Sequence, residues 1–302
     1  MSNVKSAVYV ALISNIITFL VKLFASIMTG SIAMLAETLR SFSDIMNQVF
    51  LAIGINLSSQ KPSIKYPFGR GKEVFFWSFI ASLFVIGGSG VLSLIEGMNR
   101  VLQPKSISSG EIAFIALIFA LIFESFSLIN VLLTYRHQKS GKYDGSTLQP
   151  TLNPVITIVL AEDISAIIEI IVVFVSIYVS IYLKVLFFDG IAAIFIGLTM
   201  IGIGLHVASQ TREHLIGVGL KHHEIENIKK IILFIPQVNN VIDVKSVFFG
   251  VDRVILGIDV NFKDKLTTDE IEHVIDEIER KIKQSYPFIK HIYVEAEDKP
   301  IK

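Results

Sequence analysis

The chain has 302 residues, 27 basic and 27 acidic, and no cysteine. That balance excludes a nucleic-acid binder driven by bulk positive charge, and the missing cysteine excludes a disulfide scaffold, a thiol nucleophile and a thiolate metal site. A mean hydropathy of +0.62 with 52% apolar residues is too hydrophobic for an ordinary soluble protein, and the charge is uneven: residues 1–209 hold 24 of the 54 Asp, Glu, Lys and Arg, and residues 210–302 the other 30. A membrane domain over 1–209 followed by a soluble domain over 210–302 is the expectation.

In chain order, six stretches reach the roughly 20 apolar residues that a bilayer span needs. They are Val8–Met28, Ile32–Leu57, Val74–Ile95, Ile112–Leu133, Asn153–Leu183 and Asp189–Ser209. The first is too long for a cleavable signal peptide and carries Asn15 and Lys22. Basic residues crowd two of the connecting loops, Lys61, Lys65, Arg70 and Lys72 in one and Arg136, Lys139 and Lys142 in the other. The opposite side has Arg100, Lys105 and Lys184. The basic loops and both termini therefore belong in the cytoplasm. Gly87-Gly88-Ser89-Gly90 in the third span permits close helix approach. Tyr66–Arg70, with Pro67 and Gly69, is either a plain connector or a gate or dimer contact.

After the spans, Glu224–Phe234 has helical periodicity. Val241–Phe249 and Val254–Phe262 read as strands separated by Gly250-Val251-Asp252. Thr267-x-x-Glu270 is a capping box that opens a helix to about Ser285, with Ile271, Val274, Ile275, Ile278 and Ile282 on its inner face. Ile289–Ala296 is the last strand. The order is α-β-β-α-β, a small α+β, ferredoxin-like sheet covered by helices on one face. The expected fold is thus an all-α six-helix transmembrane bundle followed by that domain. It has no Walker motif and no nucleophile elbow.

The informative residues are ionisable groups inside the spans, where charge is costly and marks a pathway or a paired site. The second span carries Glu37, Arg40, Asp44 and Asn47 on one helical face. The fourth carries Glu124 and Asn130. The fifth carries Glu162 and Glu169 on a shared face, with Asp163 about 100° away, and the sixth opens with Asp189. Set against Asp44, Glu124, Glu162, Asp163 and Glu169, Arg40 as the one deep cation leaves carboxylates that must be protonated, hydrated or paired with a metal ion. Lys22 either pairs with a carboxylate or snorkels to the surface. His206 reads as an interfacial or packed histidine, and His214, His222 and His223 as solvated ones.

These residues resemble the cation diffusion facilitator family of divalent-metal exporters. Asn15 and Lys22 are followed by Gly30-Ser31-Ile32-Ala33-Met34-Leu35-Ala36-Glu37, Ser41-Phe42-Ser43-Asp44 and Asn47-Gln48. Tyr66-Pro67-Phe68-Gly69-Arg70 is similar to the family's His-Pro-Tyr-Gly loop. Leu160-Ala161-Glu162-Asp163 resembles a branch with Glu-Asp on the fifth span, which includes a mitochondrial zinc transporter. The tail is similar from Val244 through Phe249-Gly250 and Asp259-Val260, and again at Tyr293–Glu297. The resemblance implies a homodimeric, multi-pass protein of the inner (plasma) membrane with a cytosolic dimerisation tail. It also implies a divalent metal ion as substrate, proton exchange, no cofactor, no nucleic-acid partner and no enzymatic activity.

The resemblance places the four family ligands on Arg40, Asp44, Val159 and Asp163. Arg40 has no lone pair, and Val159 offers none. Asp44 and Asp163 remain, joined by Glu162 and, as a further oxygen donor, Asn47; Glu37, Arg40, Glu124 and Glu169 would modulate the site. No histidine lies in the second or fifth span, so the set is all-oxygen. It suits manganese, iron or magnesium better than zinc. Arg40 either pairs with Glu37 or Glu162, weakens the site, or acts as a switch. Two readings follow. One is metal export by proton antiport, and the other is a non-transporting relative in which Arg40 replaces the metal charge and the protein serves assembly or regulation.

Overall fold

The computed structural model describes residues 2–140 and 154–298. Six long helices come first: α1 (Ser2–Thr29), α2 (Ile32–Ser58), α3 (Glu73–Leu102), α4 (Gly110–Ser140), α5 (Pro154–Tyr182) and α6 (Phe188–Ile216). Among the described residues, α3, α6, the Gly110–Asn130 part of α4 and the Glu162–Tyr182 part of α5 are long and apolar enough to cross a membrane. α2, which carries Glu37, Arg40 and Asp44, is not among them, and the described apolar part of α1, Asn15–Thr29, is short. Large apolar side chains face outward along these helices, among them Ile115, Phe126 and Ile171, as expected of surface in contact with lipid. Arg136, Lys139, Lys142 and Val159 lie outside the residues whose side chains are described.

The chain divides into two compact units. The second gathers Ile53–Phe76 with the chain from Gln210 onward. In the first, buried alanines and β-branched residues from α1, α2, α4, α5 and α6 form the core, including Ala25, Ala36, Ala120, Val173 and Ile196. Helices α3 and α6 meet through glycines seven residues apart. A Cβ on Gly197 would sit 2.8 Å from the Gly90 carbonyl oxygen, and one on Gly97 would sit 2.8 Å from the Ile194 amide. The glycine contact therefore runs through Gly90 and Gly97, whereas Gly87, part of the expected run, has nothing within 4 Å. At that point α3 takes a π-helical turn, Val85–Gly90, between α-helical stretches. Such turns re-aim side chains and favour functional regions.

The second unit is the expected small α+β domain: α7 (His222–Leu233), β1 (Val238–Gly250), β2 (Arg253–Phe262), α8 (Thr268–Ser285) and β3 (Ile289–Ala296). The sheet order is β1-β2-β3, antiparallel and then parallel. The parallel step is the β2–α8–β3 crossover. Val254, Leu256, Ile258 and Val260 alternate inward along β2. They meet Ile228 and Ile232 of α7 and Val274, Ile278 and Ile282 of α8. Ile271 and Ile275 flank that face and are half-buried. The capping box forms as expected: Thr267 Oγ1 accepts from the Glu270 amide, and Glu270 accepts from the Thr267 amide at 2.8 Å. The Tyr66–Arg70 loop packs on this domain, with Phe68 against the rings of Phe249 and His291. Arg70 bridges to Glu73 at 2.6 Å.

Candidate functional site

The site is built on α2, which starts immediately after the end of α1. Gly30, at φ +63°, ends α1 in a left-handed turn and donates its amide to the Ser26 carbonyl at 2.9 Å. The first turn of α2 is then capped from another helix. Fully buried Asp189, at the start of α6, accepts from the Ser31 hydroxyl at 2.5 Å and from the Ile32 and Ala33 amides at 2.9 and 3.2 Å. A carboxylate there satisfies orphan amides and complements the helix dipole. Arg100 completes the brace, with Nε 3.0 Å from Asp189 and a hydrogen bond to the Gly30 carbonyl. Arg100 is consequently a buried structural residue rather than a loop charge.

One turn further on, Lys22 of α1 is fully buried and donates to Glu37 at 2.7 Å and to Ser41 at 2.9 Å; Glu124 of α4 lies 4.0 Å away. The lysine pairs and does not snorkel. Arg40 is therefore not the single deep cation, and Glu37 joins the carboxylates. Physically, an ammonium held at full burial is tolerated only with partners of this kind.

Arg40 itself donates Nη1 to Glu169 at 3.0 Å and Nη2 to the Glu162 main-chain carbonyl at 3.0 Å. Its carboxylate partner is neither Glu37 nor the Glu162 side chain. Glu37 is already taken by Lys22, while Glu169 stands two helical turns beyond Glu162 on α5, within reach of the guanidinium. The Thr199 hydroxyl of α6 adds a 2.7 Å hydrogen bond to the same Glu169 oxygen.

Arg40, Asp44 and Asn47 of α2 line a small cavity with Glu162 of α5. Ser82 and Val85 of α3 and Met200, Ile203, Gly204 and Val207 of α6 close it. Its volume of about 40 Å³ accommodates ordered water. The π-helical turn borders this cavity, and Ser89 within it bonds Ser43 and the Leu39 carbonyl. Asp163 points elsewhere, accepting from Ser127 of α4 at 3.2 Å. Among the described residues, no group of three or more Asp, Glu or His converges closely enough to hold one ion. The structure thus brings Asp44, Asn47, Glu162 and Arg40 together, and it separates Asp163, Glu37, Glu124 and Glu169 into other contacts.

Some partners lay outside sequence reasoning. Lys22–Glu37 had a usable signal, because the two residues stand eight before and seven after Gly30, opposite one another in a hairpin of helices. Asp189 with Arg100, and Glu169 with Thr199, join distant segments and had none. His214 stacks on Phe75 at 4.5 Å, and His222 and His223 are exposed.

A multi-pass membrane protein with carboxylates buried between its helices, followed by a small α+β domain, defines the class. The chain matches the cation efflux transmembrane domain over residues 8–216 and the cation efflux protein cytoplasmic domain over 220–299. It belongs to the cation efflux family, a family of transporters and not of enzymes. The mitochondrial proton-coupled zinc antiporter SLC30A9 of Xenopus laevis is 25% identical over 91% of this chain and 51% of that protein. The magnetosome protein MamM of Paramagnetospirillum magneticum is 32% identical over 33% of this chain and 31% of its own. The cation-efflux pump FieF of Pectobacterium carotovorum is 29% identical over 37% and 38%. The chain spans about half the length of the SLC30A9 relative that it matches.

Proposed function

We propose that the protein exports a divalent metal cation from the cytoplasm by proton antiport, through an intramembrane site of oxygen ligands. The observation that carries this reading is the cavity onto which Asp44, Asn47 and Glu162 face from two helices of the first unit. Asp44 and Glu162 are its primary ligands, and Asp163 is the third, recruited from Ser127 when the ion binds. Carboxylates that exchange a metal ion for protons need no further cofactor. Oxygen donors favour manganese, iron(II) or magnesium over zinc, whereas relatives are named as zinc antiporters. Family membership supports export, and the cytoplasmic domain supports a homodimer. The six helices α1–α6 are taken as six spans of the plasma membrane with both termini inside, residues 1–209 forming the transport domain and 210–302 the dimerising one.

The test is metal flux into proteoliposomes under an imposed pH gradient, zinc and manganese compared directly. Flux by the wild type that is lost in Asp44→Ala plus Asp163→Ala supports the assignment; flux that survives the double substitution sinks it. The Arg40–Glu169 pair favours a second reading, a non-transporting relative locked by that ion pair. On that reading the wild type carries no metal, and Arg40→His gains transport.

A further inference from the structure

We infer that Glu169, supported by Thr199, is the positioning residue that holds the Arg40 guanidinium away from the ion and thereby sets the charge a dication meets. The inference rests on the transport reading above. Arg40 lines the same cavity as Asp44 and Glu162, and arginine stays protonated in any protein environment. A free guanidinium there would compete with a metal ion for both carboxylates. In the structure it does not bond either one. One Nη is spent on Glu169 and the other on a main-chain carbonyl. Glu169 is fully buried and is itself fixed by the 2.7 Å hydrogen bond from Thr199.

The charge count shows what this achieves. Arg40, Asp44 and Glu162 alone sum to one net negative charge around the cavity. With Glu169 cancelling Arg40, Asp44 and Glu162 present two, which match a divalent ion. Glu169 is not among the residues that line the cavity and meets that lining at Arg40, so it acts through Arg40 and not as a ligand. The arrangement also explains how an arginine can occupy a position where the family pattern has a metal ligand.

Four full-length proteins in proteoliposomes test this: wild type, Glu169→Gln, Arg40→Met plus Glu169→Gln, and Thr199→Val. Metal flux is read as a function of metal concentration. Glu169→Gln should raise the half-saturating concentration by about tenfold or more, the scale of one charge-assisted hydrogen bond exchanged for a competing cation. Removing Arg40 as well should return it to within about threefold of wild type, since replacing a whole buried pair is often tolerated. A purely structural role for Glu169 predicts instead less folded protein and a lower maximal flux in the single variant, with the half-saturating concentration unchanged. Thr199→Val should shift half-saturation in the same direction by about threefold. Wild-type half-saturation in Glu169→Gln, or a folded double variant as impaired as the single, overturns the inference while leaving the transport reading intact. If Glu169→Gln does not fold, Thr199→Val decides alone, and an unshifted value there overturns it. Absence of flux in the wild type overturns both.

Discussion

The two units bury opposite things. In the helical unit the ion pairs are inside: Lys22–Glu37, Arg40–Glu169 and Arg100–Asp189 all have side chains at most 6% exposed. In the C-terminal unit the core is made of Val, Ile and Leu with Tyr286, and the ion pairs are outside, as with Lys245–Asp243 at 75% and 50% exposed. The helical unit turns its apolar side chains outward instead. The lesson concerns what a charge is for. An exposed pair adds little to stability. A buried pair gains little net energy over an apolar one, yet removing one partner leaves a charge stranded. In the helical unit such pairs fix α1 and α5 to α2, which carries the site, and α3 to α6, whose Asp189 also caps α2.

That contrast can be broken most sharply at Lys22. Lys22→Met strands Glu37 and should cost about 3–5 kcal/mol, seen as a large fall in thermal stability in detergent. Lys22→Met with Glu37→Gln should recover most of the loss. Equal melting of the single and double variants would show that the pair is not what holds α1 to α2.

In the C-terminal unit the largest effect should come from a cavity, not a charge. Ile278, fully buried against the sheet, should cost about 2–5 kcal/mol as Ile278→Ala. The readout is faster hydrogen exchange in α8 and β2 of the full-length protein, with α4–α6 unchanged.

Smaller still, Thr267→Ala removes the cap of α8 and should cost about 1 kcal/mol, visible as faster exchange in its first turn. The same cap is pH-dependent. Hydrogen bonds from the Thr267 amide and hydroxyl hold the Glu270 carboxyl below the usual glutamate value. Its contribution is therefore complete above the unfolded value of about 4.3 and is lost as pH falls through the folded one. Glu270→Gln should flatten that acid dependence. The smallest effect should be Lys283→Ala, which breaks an exposed pair with Glu279 and should shift stability by only about 0.3–0.5 kcal/mol.

Much of the fold was legible because its causes are local. The five tail elements follow from periods of 3.6 and 2 and from a capping box, all within short windows. The helices α1–α6 follow from runs of apolar residues. The site was legible in part: Asp44, Asn47 and Glu162 share a cavity as their helical faces predict, since facing is a property of one helix. Where Asp163 turns, and which carboxylate holds Arg40, depends on a second or third helix. Ser127, Thr199 and Asp189 have no local pattern that announces their partners, and the π-helical turn in α3 has no distinctive residue beyond its glycines.

By itself the sequence determined where charge is scarce, where it is dense, and that neither thiolate nor imidazole is available between α2 and α5, because no cysteine exists and neither helix carries a histidine. Tertiary structure alone decided which charges cancel. Residues more than a hundred positions apart, such as Arg40 and Glu169 or Ser31 and Asp189, meet only when helices dock. The energy of a buried charge depends on the atoms within a few ångströms of it, not on its neighbours along the chain.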